Sequence, residues 1–149
     1  MTVQGTFTVT INATPEKVWP YIADVTKHGE YSPKPYSAEL VSGEPGKLGT
    51  RYKSVGQIPN DKHHSNESEV VEAVPNERLV LHSYDSIGTF TSTYVLRPAG
   101  AGTEVSWTIE FPPKMKFPLS VMAPLIFPLV GKPDGRKRMQ LLKDKVEAS

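Results

Sequence analysis

Two stretches near opposite ends of the chain alternate between apolar and polar side chains. VQGTFTVTI spans residues 3–11, and TEVSWTIEF spans residues 103–111. A period of two places every second side chain on one face of an extended backbone, and one polar face is typical of half-exposed antiparallel strands. The apolar positions are Val3, Phe7, Val9, Ile11, Val105, Trp107, Ile109 and Phe111. The pattern predicts a sheet that turns one face to solvent and the other to a core.

Five more strands are predicted between these two stretches, because short segments rich in β-branched and aromatic residues alternate with turn sequences. The segments are residues 36–42, 50–58, 66–74, 78–84 and 89–97. The connectors GEPGKLG, PND, VPNE, DSIG and PAGAGT contain the glycine, proline, asparagine and aspartate that tight turns favour. The sequence therefore predicts seven antiparallel strands joined as a meander.

Helical patterns interrupt the strands after the first one. In residues 13–25, Thr14 is placed to cap a helix and Pro15 to occupy its first turn. Val18, Ile22 and Val25 recur at helical spacing and predict an inward stripe. A second short helix or turn is expected over residues 26–31.

The C-terminal third is expected to form a long helical region with two unlike halves. Residues 117–130 contain no charge but include Pro124 and Pro128. This run of 14 residues is shorter than the roughly 20 needed to cross a bilayer, and its prolines would leave helix carbonyls without partners in lipid. Met139, Leu142 and Val146 give the second half an amphipathic stripe. A single helix cannot fill the concavity of seven strands, so we expect the apolar half to line a hydrophobic cavity.

Length and composition fit one domain over residues 1–149, since a chain of this size buries a substantial core. There are no cysteines for a disulfide, a thiolate metal site or a thiol nucleophile. The first residues lack the basic start and apolar block of a signal peptide, so a cytoplasmic location is expected. The net charge of +1 gives no general preference for nucleic acid, and none is predicted as a partner.

Several segments together resemble the START-like or SRPBCC superfamily, and within it the polyketide cyclase/dehydrase-like group. They are VTINATPEKVWPYIADVTKHGEYSP, GKLGTRY, SEVVEAVPNERLVL, AGTEVSWTIEF and MQLLKDKVEA, and they cover nearly the whole chain. The resemblance implies an α+β helix-grip fold, in which a seven-stranded curved antiparallel sheet wraps around a long C-terminal helix, with two short helices after strand one. It implies less about activity, because the superfamily includes ligand binders, lipid-transfer proteins, cyclases and chaperone-associated modules.

Aromatic and apolar residues are the main candidates for ligand contact. Tyrosine suits such a site, because it offers an apolar body with a hydroxyl that can fix orientation. The predicted ligand-binding residues are Tyr31, Tyr52, Phe90, Tyr94, Trp107, Leu119, Met122, Ile126 and Phe127. They favour a binding or transport protein for a hydrophobic small molecule or lipid, and neither a cofactor nor a catalytic residue is assigned.

An enzyme of the polyketide cyclase or dehydratase type is the first alternative. The resemblance implies that aromatase/cyclases use an arginine on strand four with pocket tyrosines, whereas this chain has Val70 and Val71 there. Charged candidates on the predicted strands are Arg51, Glu67, Glu69 and Arg97. Any of them that faces the cavity would lie in a poorly solvated site with a perturbed pKa. The two adjacent valines leave the inward face of strand four undecided.

A protein- or membrane-docking module is the second alternative. Lys114 and Lys116 precede the apolar run, and the basic residues 136–138 follow it. This arrangement leaves open a peripheral membrane contact, although a solvated helix face explains the basic residues equally well. No metal site is predicted, because the adjacent His63 and His64 should point to opposite faces of a strand. Oligomeric state and ligand identity are left open.

Overall fold

One antiparallel sheet organises the protein, which is represented by a computed structural model that describes residues 3–58 and 61–149. Its strands are β1 (Gln4–Ile11), β2 (Ser37–Ser42), β3 (Arg51–Ile58), β4 (Asp61–Val74), β5 (Arg78–Tyr84), β6 (Thr89–Ala99) and β7 (Gly102–Glu110). Their order across the sheet is β1-β7-β6-β5-β4-β3-β2. The meander from β2 to β7 is confirmed, and β1 pairs with β7 to complete the sheet.

Helical elements occur where the sequence predicts them. The helix α1 (Pro15–Ala23) and a 3₁₀ helix (Val25–Tyr31) follow β1, while α2 (Leu119–Ile126), a π-helical turn (Phe127–Gly131) and α3 (Lys132–Glu147) follow β7. The α+β helix-grip architecture expected from the sequence is therefore confirmed. Pro128 has no N–H for a helical hydrogen bond, and it lies in the π-helical turn where α2 gives way to α3.

Strand β4 is longer than expected, because it begins at Asp61 rather than at residue 66. The sequence of residues 61–66 is polar and has little strand propensity, yet this segment pairs with β3 up to Ile58. Backbone pairing in the hairpin overrides the weak local preference. Of the turn expected over residues 59–61, Asp61 belongs to β4, and residues 59 and 60 lie outside the described part of the chain.

The core lies between the concave face of the sheet, α1 and α3. Val18 and Ile22 of α1 are buried, and so are Met139, Leu142 and Val146 of α3. These residues recur every three or four positions and so share one helix face. Both stripes predicted from the sequence are thus in the core.

Two glycines leave room for aromatic rings where the C-terminal helical region meets β1. A Cβ atom at Gly135 would lie 2.3 Å from the ring of Phe7, and one at Gly131 would lie 2.3 Å from the ring of Phe127. Real Cβ atoms do not approach other atoms so closely. The two aromatic rings therefore occupy the space that a side chain at position 135 or 131 would need. These contacts place the rings of Phe7 and Phe127 between the sheet and the helices.

The apolar segment 117–130 is helical from Leu119 onward, as expected, with Pro124 inside α2, but most of its side chains are exposed. Of α2 and the following turn, only Ala123 and Phe127 are buried. Exposed apolar side chains in this segment are Phe117, Leu119, Val121, Met122, Leu125, Leu129 and Val130. Within residues 3–58 and 61–149, no helix combines the length and apolar character needed to cross a membrane.

Candidate ligand-binding site

A cavity of about 400 Å³ lies between the concave face of the sheet, the start of α3 and the loop 32–36. We call it the outer chamber. Apolar residues of the sheet and helices dominate its walls. They are Phe7, Phe90, Trp107, Ile109, Phe111 and Phe127. The rings pack edge to face, with centroids 5.1 Å apart for Phe90 and Phe111 and 5.2 Å apart for Phe111 and Phe127.

A second cavity of about 150 Å³ lies deeper under the sheet, and we call it the inner pocket. Polar side chains make up a larger share of its walls than of the outer chamber's walls. Among them are Ser68, Ser83, Ser92, Tyr94 and His28. The residues Tyr36, Asn66, Trp107 and Arg138 line both cavities. The site therefore has an apolar outer part and a polar inner part that meet at these four side chains.

Arg138 of α3 is the only cationic side chain among the described residues that line the inner pocket, given that His28 is neutral. Its guanidinium carbon lies 4.8 Å from the centre of the Tyr31 ring and 5.0 Å from that of Trp107, which are cation–π distances. Its Nη2 donates to the Tyr94 hydroxyl at 3.0 Å and to Nδ1 of His28 at 3.3 Å. Both of these acceptors are neutral, and no described carboxylate forms an ion pair with Arg138.

His28 is held neutral by its surroundings. Burial and, after it, the positive charge of Arg138 lower its pKa to about 3, and a hydrogen bond to the carbonyl of Ile22 opposes the shift only in part. Since Nε2 lies 2.9 Å from that carbonyl oxygen, Nε2 carries the proton and Nδ1 is free to accept from Arg138. One neutral imidazole thus links the 3₁₀ helix to the cation of α3.

Three buried polar side-chain atoms at this site have no hydrogen-bond partner among the described residues. They are Ser68 Oγ, Trp107 Nε1 and Arg138 Nε. All three residues line the inner pocket. Buried polar atoms in folded proteins are normally paired with protein or with bound molecules, so these atoms indicate where a partner from outside the chain would bind.

The two cavities bring together four of the nine predicted ligand-binding residues. Phe90, Trp107 and Phe127 line the outer chamber, and Tyr94 lines the inner pocket together with Trp107. Tyr31 is fully buried behind the site, where its ring packs on Arg138 and its hydroxyl donates to the carbonyl of Tyr21.

The other predicted residues lie away from both cavities. Tyr52 is buried in the core, and Ile126 is half-buried on α2. Leu119 and Met122 are 37% and 42% exposed on that helix. Of this segment, Phe127 packs against Gly5 and reaches between helix and sheet.

The charged strand residues considered for acid–base chemistry point away from the site. Arg51 and Glu69 are directly opposite each other on β3 and β4 and form a 2.8 Å ion pair on the outer face. Glu67 is exposed on the same face, and Arg97 is exposed on β6. The neighbouring positions Tyr52 and Ser68 take the inward face. None of these four charges is therefore placed to act on a molecule in the outer chamber.

Two charged contacts hold the rim of the outer chamber. Lys34 of the loop 32–36 forms a 2.9 Å ion pair with Asp134 of α3. His64 contacts Asp85 at 2.7 Å and Asp61 at 3.1 Å, and the hydrogen bond to Asp85 is the main cause of its raised pKa. With both ring nitrogens engaged, His64 connects the β3–β4 hairpin to the turn before β6. Among the described residues, no group of three acidic, histidine or cysteine side chains could hold a metal.

Arg138, Tyr36, Asn66 and Ser68 are site residues that the sequence argument did not select. For Arg138 a signal was present, because Gly135, Arg138 and Leu142 are spaced by three and four residues along one face of α3. The adjacent Arg136 and Lys137 are exposed. The phase of the helix, rather than the presence of a basic cluster, decides which of the three cations enters the site.

Comparison with known proteins identifies the family. The family model for polyketide cyclase/dehydrase and lipid transport matches residues 2–147. The chain therefore belongs to this family, which confirms the resemblance to the polyketide cyclase/dehydrase-like group. No curated protein is significantly similar to this sequence.

Solved structures share the fold at low sequence identity. The Zhui aromatase/cyclase from Streptomyces sp. R1128 superposes with a TM-score of 0.80 at 14% identity, over 99% of this chain and 94% of that one. The di-domain aromatase/cyclase BexL of the BE-7585A biosynthetic pathway gives 0.78 at 19% identity, over 99% of this chain and 51% of its own. A protein from Thermus thermophilus gives 0.74 at 23% identity, over 98% of both chains. Such identities show a common fold only.

Proposed function

We propose that this protein binds a hydrophobic small molecule or lipid in the outer chamber, as a binding or transport protein. The observation that carries the proposal is the apolar, aromatic-lined chamber that adjoins a polar inner pocket. Its volume of about 400 Å³ falls in the range of roughly 300–1,000 Å³ typical of small-molecule sites. The family description, which includes lipid transport, supports the same class of ligand.

The proposal is tested with a neutral apolar probe, N-phenyl-1-naphthylamine, whose fluorescence rises in apolar surroundings. Binding should quench the emission of Trp107, which lines the chamber, and a Trp19→Phe background removes the other tryptophan. Phe127→Arg would place a charge in the chamber at a desolvation cost of several kcal/mol, so it should abolish binding. Phe127→Leu keeps an apolar wall and should retain most of the affinity. A folded Phe127→Arg protein with parental affinity would contradict this site.

A second candidate function is docking on an anionic membrane surface, and it follows from a separate observation. The exposed apolar side chains of the segment 117–130 are flanked by Lys114, Lys116, Lys132 and Lys137. Exposed apolar groups beside basic residues suit a bilayer. The apolar groups can enter the acyl region, and anionic headgroups attract the basic residues. Docking there would bring the outer chamber close to a source of apolar ligand.

Co-sedimentation with vesicles of phosphatidylcholine and phosphatidylserine tests the docking function. Leu125→Asp and Leu129→Asp should abolish binding, because these leucines are 67% and 77% exposed within the segment. Leu48→Asp is the matched control, since Leu48 is 71% exposed in the β2–β3 connection. Binding should also weaken between low and physiological salt. Absence of co-sedimentation at low salt would rule out this function and leave the chamber proposal unaffected.

A further inference from the structure

Arg138 is a half-buried cation whose Nε is fully enclosed, and no described residue forms an ion pair with it. A guanidinium remains protonated at all physiological pH values, and removing it from water is costly unless it is paired. The rings of Tyr31 and Trp107 and the neutral acceptors on Tyr94 and His28 compensate only in part. Of the described residues that line the two cavities, Asp134 is the only carboxylate, and it is paired with Lys34.

The unpartnered atoms at the inner pocket indicate the chemistry of the missing partner. The Nε of Arg138 and the Nε1 of Trp107 are buried, and each is a donor that cannot accept a hydrogen bond. Ser68 Oγ, also unpartnered, adds a hydroxyl that can donate. A group that satisfies these atoms must supply acceptor oxygens, and a negative charge would also neutralise Arg138.

The position of Arg138 indicates which part of a ligand would carry this group. Arg138 and Trp107 line both cavities, at the junction between the apolar chamber and the polar pocket. A molecule with its apolar body in the chamber would therefore place one end at the guanidinium. We propose that the ligand is an apolar molecule with a terminal carboxylate, and that Arg138 binds this carboxylate. The inference rests on the chamber being a ligand site.

His28 has a supporting role in this arrangement. Its Nδ1 accepts from Nη2 of Arg138, so that nitrogen is already engaged, whereas Nε has no partner among the described residues. Because Nε2 donates to the carbonyl of Ile22, the imidazole is fixed in the tautomer that can accept. His28 is thus a positioning residue for the cation rather than a second cation.

The test compares two probes with the same aromatic body, anthracene-2-carboxylate and its neutral carboxamide, by fluorescence titration at pH 7.5. The wild-type protein should bind the carboxylate at least about tenfold more tightly than the amide, since a charge-assisted pair with arginine exceeds a neutral hydrogen bond. Arg138→Met keeps an unbranched apolar stem and should remove this preference, because it weakens binding of the carboxylate much more than binding of the amide. Arg136→Met, at an exposed position on the same helix, is the matched control for net charge and should leave the preference intact.

Each result has a distinct meaning. Equal affinity of the wild-type protein for the two probes, or equal weakening of both by Arg138→Met, would overturn the carboxylate inference while the chamber proposal stands. If neither probe nor N-phenyl-1-naphthylamine binds, the chamber proposal itself fails. If Arg138→Met does not fold, Arg138→Lys replaces it. If Arg138→Lys still prefers the carboxylate probe, the result supports recognition of the negative charge. If it binds neither probe, the result opposes that recognition.

Discussion

The two halves of the C-terminal helical region show opposite relations between composition and burial. Residues 117–130 have no charged side chain, yet seven of their apolar side chains are exposed. Helix α3 is rich in charge, yet it supplies three buried apolar residues and the cation of the inner pocket. Burial here depends on which helix face meets the sheet, and composition alone does not determine it.

Packing geometry explains the difference between the halves. Helix α3 is continuous for 16 residues, so positions three and four apart form a stripe that runs along the concave sheet. The segment before it is also helical, with Pro124 inside α2 and Pro128 in the π-helical turn, but only Ala123 and Phe127 are buried there, and Phe127 contacts Gly5 of β1. The apolar half thus remains available at the surface, while the charged half forms the core and one wall of the site.

The largest expected effect compares matched leucines from the two halves. Leu142→Ala in α3 removes a side chain that is 0% exposed, and it should lower the free energy of unfolding by about 2–5 kcal/mol. Leu125→Ala in α2 removes one that is 67% exposed, and the loss should be below about 0.5 kcal/mol. Urea denaturation measures both. Similar losses for the two variants would mean that α2 is packed in solution.

A second prediction concerns the free energy of unfolding, which should depend on pH because His28 is buried beside α3. The folded pKa of about 3 lies below the unfolded value of 6.5, so the neutral form is favoured by folding. Stability is then complete above pH 6.5 and falls as the pH decreases toward 3. At about 1.4 kcal/mol per pH unit, the loss between pH 6.5 and about pH 5 should be about 2 kcal/mol.

This pH effect needs a background without His64, whose raised pKa contributes stability at low pH that is lost as the pH increases. In a His64→Gln protein, urea denaturation should show the full slope of His28 above the range where carboxylates titrate. His28→Gln in that background should reduce the slope to near zero. An unchanged slope after this substitution would assign the pH dependence to other groups.

The fold could be predicted because its signals are periodic. Alternation in β1 and β7 and the stripe in α3 each bury one face, and the observed sheet uses those faces. In strand β4, alternation does not identify the inward face, because the adjacent residues Val70 and Val71 are both apolar. A register shift between Val70 and Glu72 interrupts the alternation there, so parity could not identify the inward face. With β4 in place, Ser68 lies inside and Glu67 and Glu69 outside.

Residues that line the cavities could be predicted only where an apolar side chain also meets the concave face of the sheet. Phe90, Trp107 and Phe127 satisfy both conditions. Leu119 and Met122 are equally apolar, but they lie on a side of α2 that faces solvent. The sequence leaves the basic residues 136–138 open between a membrane contact and a solvated helix face, both of them exposed settings that arginine favours. Only the rotation of α3 brings Arg138 into the site. Contacts between distant elements determine these positions, and local sequence does not encode them.

The smallest expected effect concerns the ion pair between Lys34 and Asp134, which joins α3 to the loop 32–36 at the rim of the chamber. Both side chains are more than one-third exposed, so their contribution to the free energy of unfolding should be below about 1 kcal/mol. The dissociation rate of a bound ligand should be more sensitive to this ion pair than stability is, because the loop forms one wall of the outer chamber. Lys34→Met should raise the dissociation rate of N-phenyl-1-naphthylamine a few-fold in stopped-flow measurements. Lys145→Met is the control, since Lys145 pairs with Glu30 outside both cavities. Equal dissociation rates for the two variants would mean that this contact does not restrain the opening, and that α3 controls ligand release through its buried face alone.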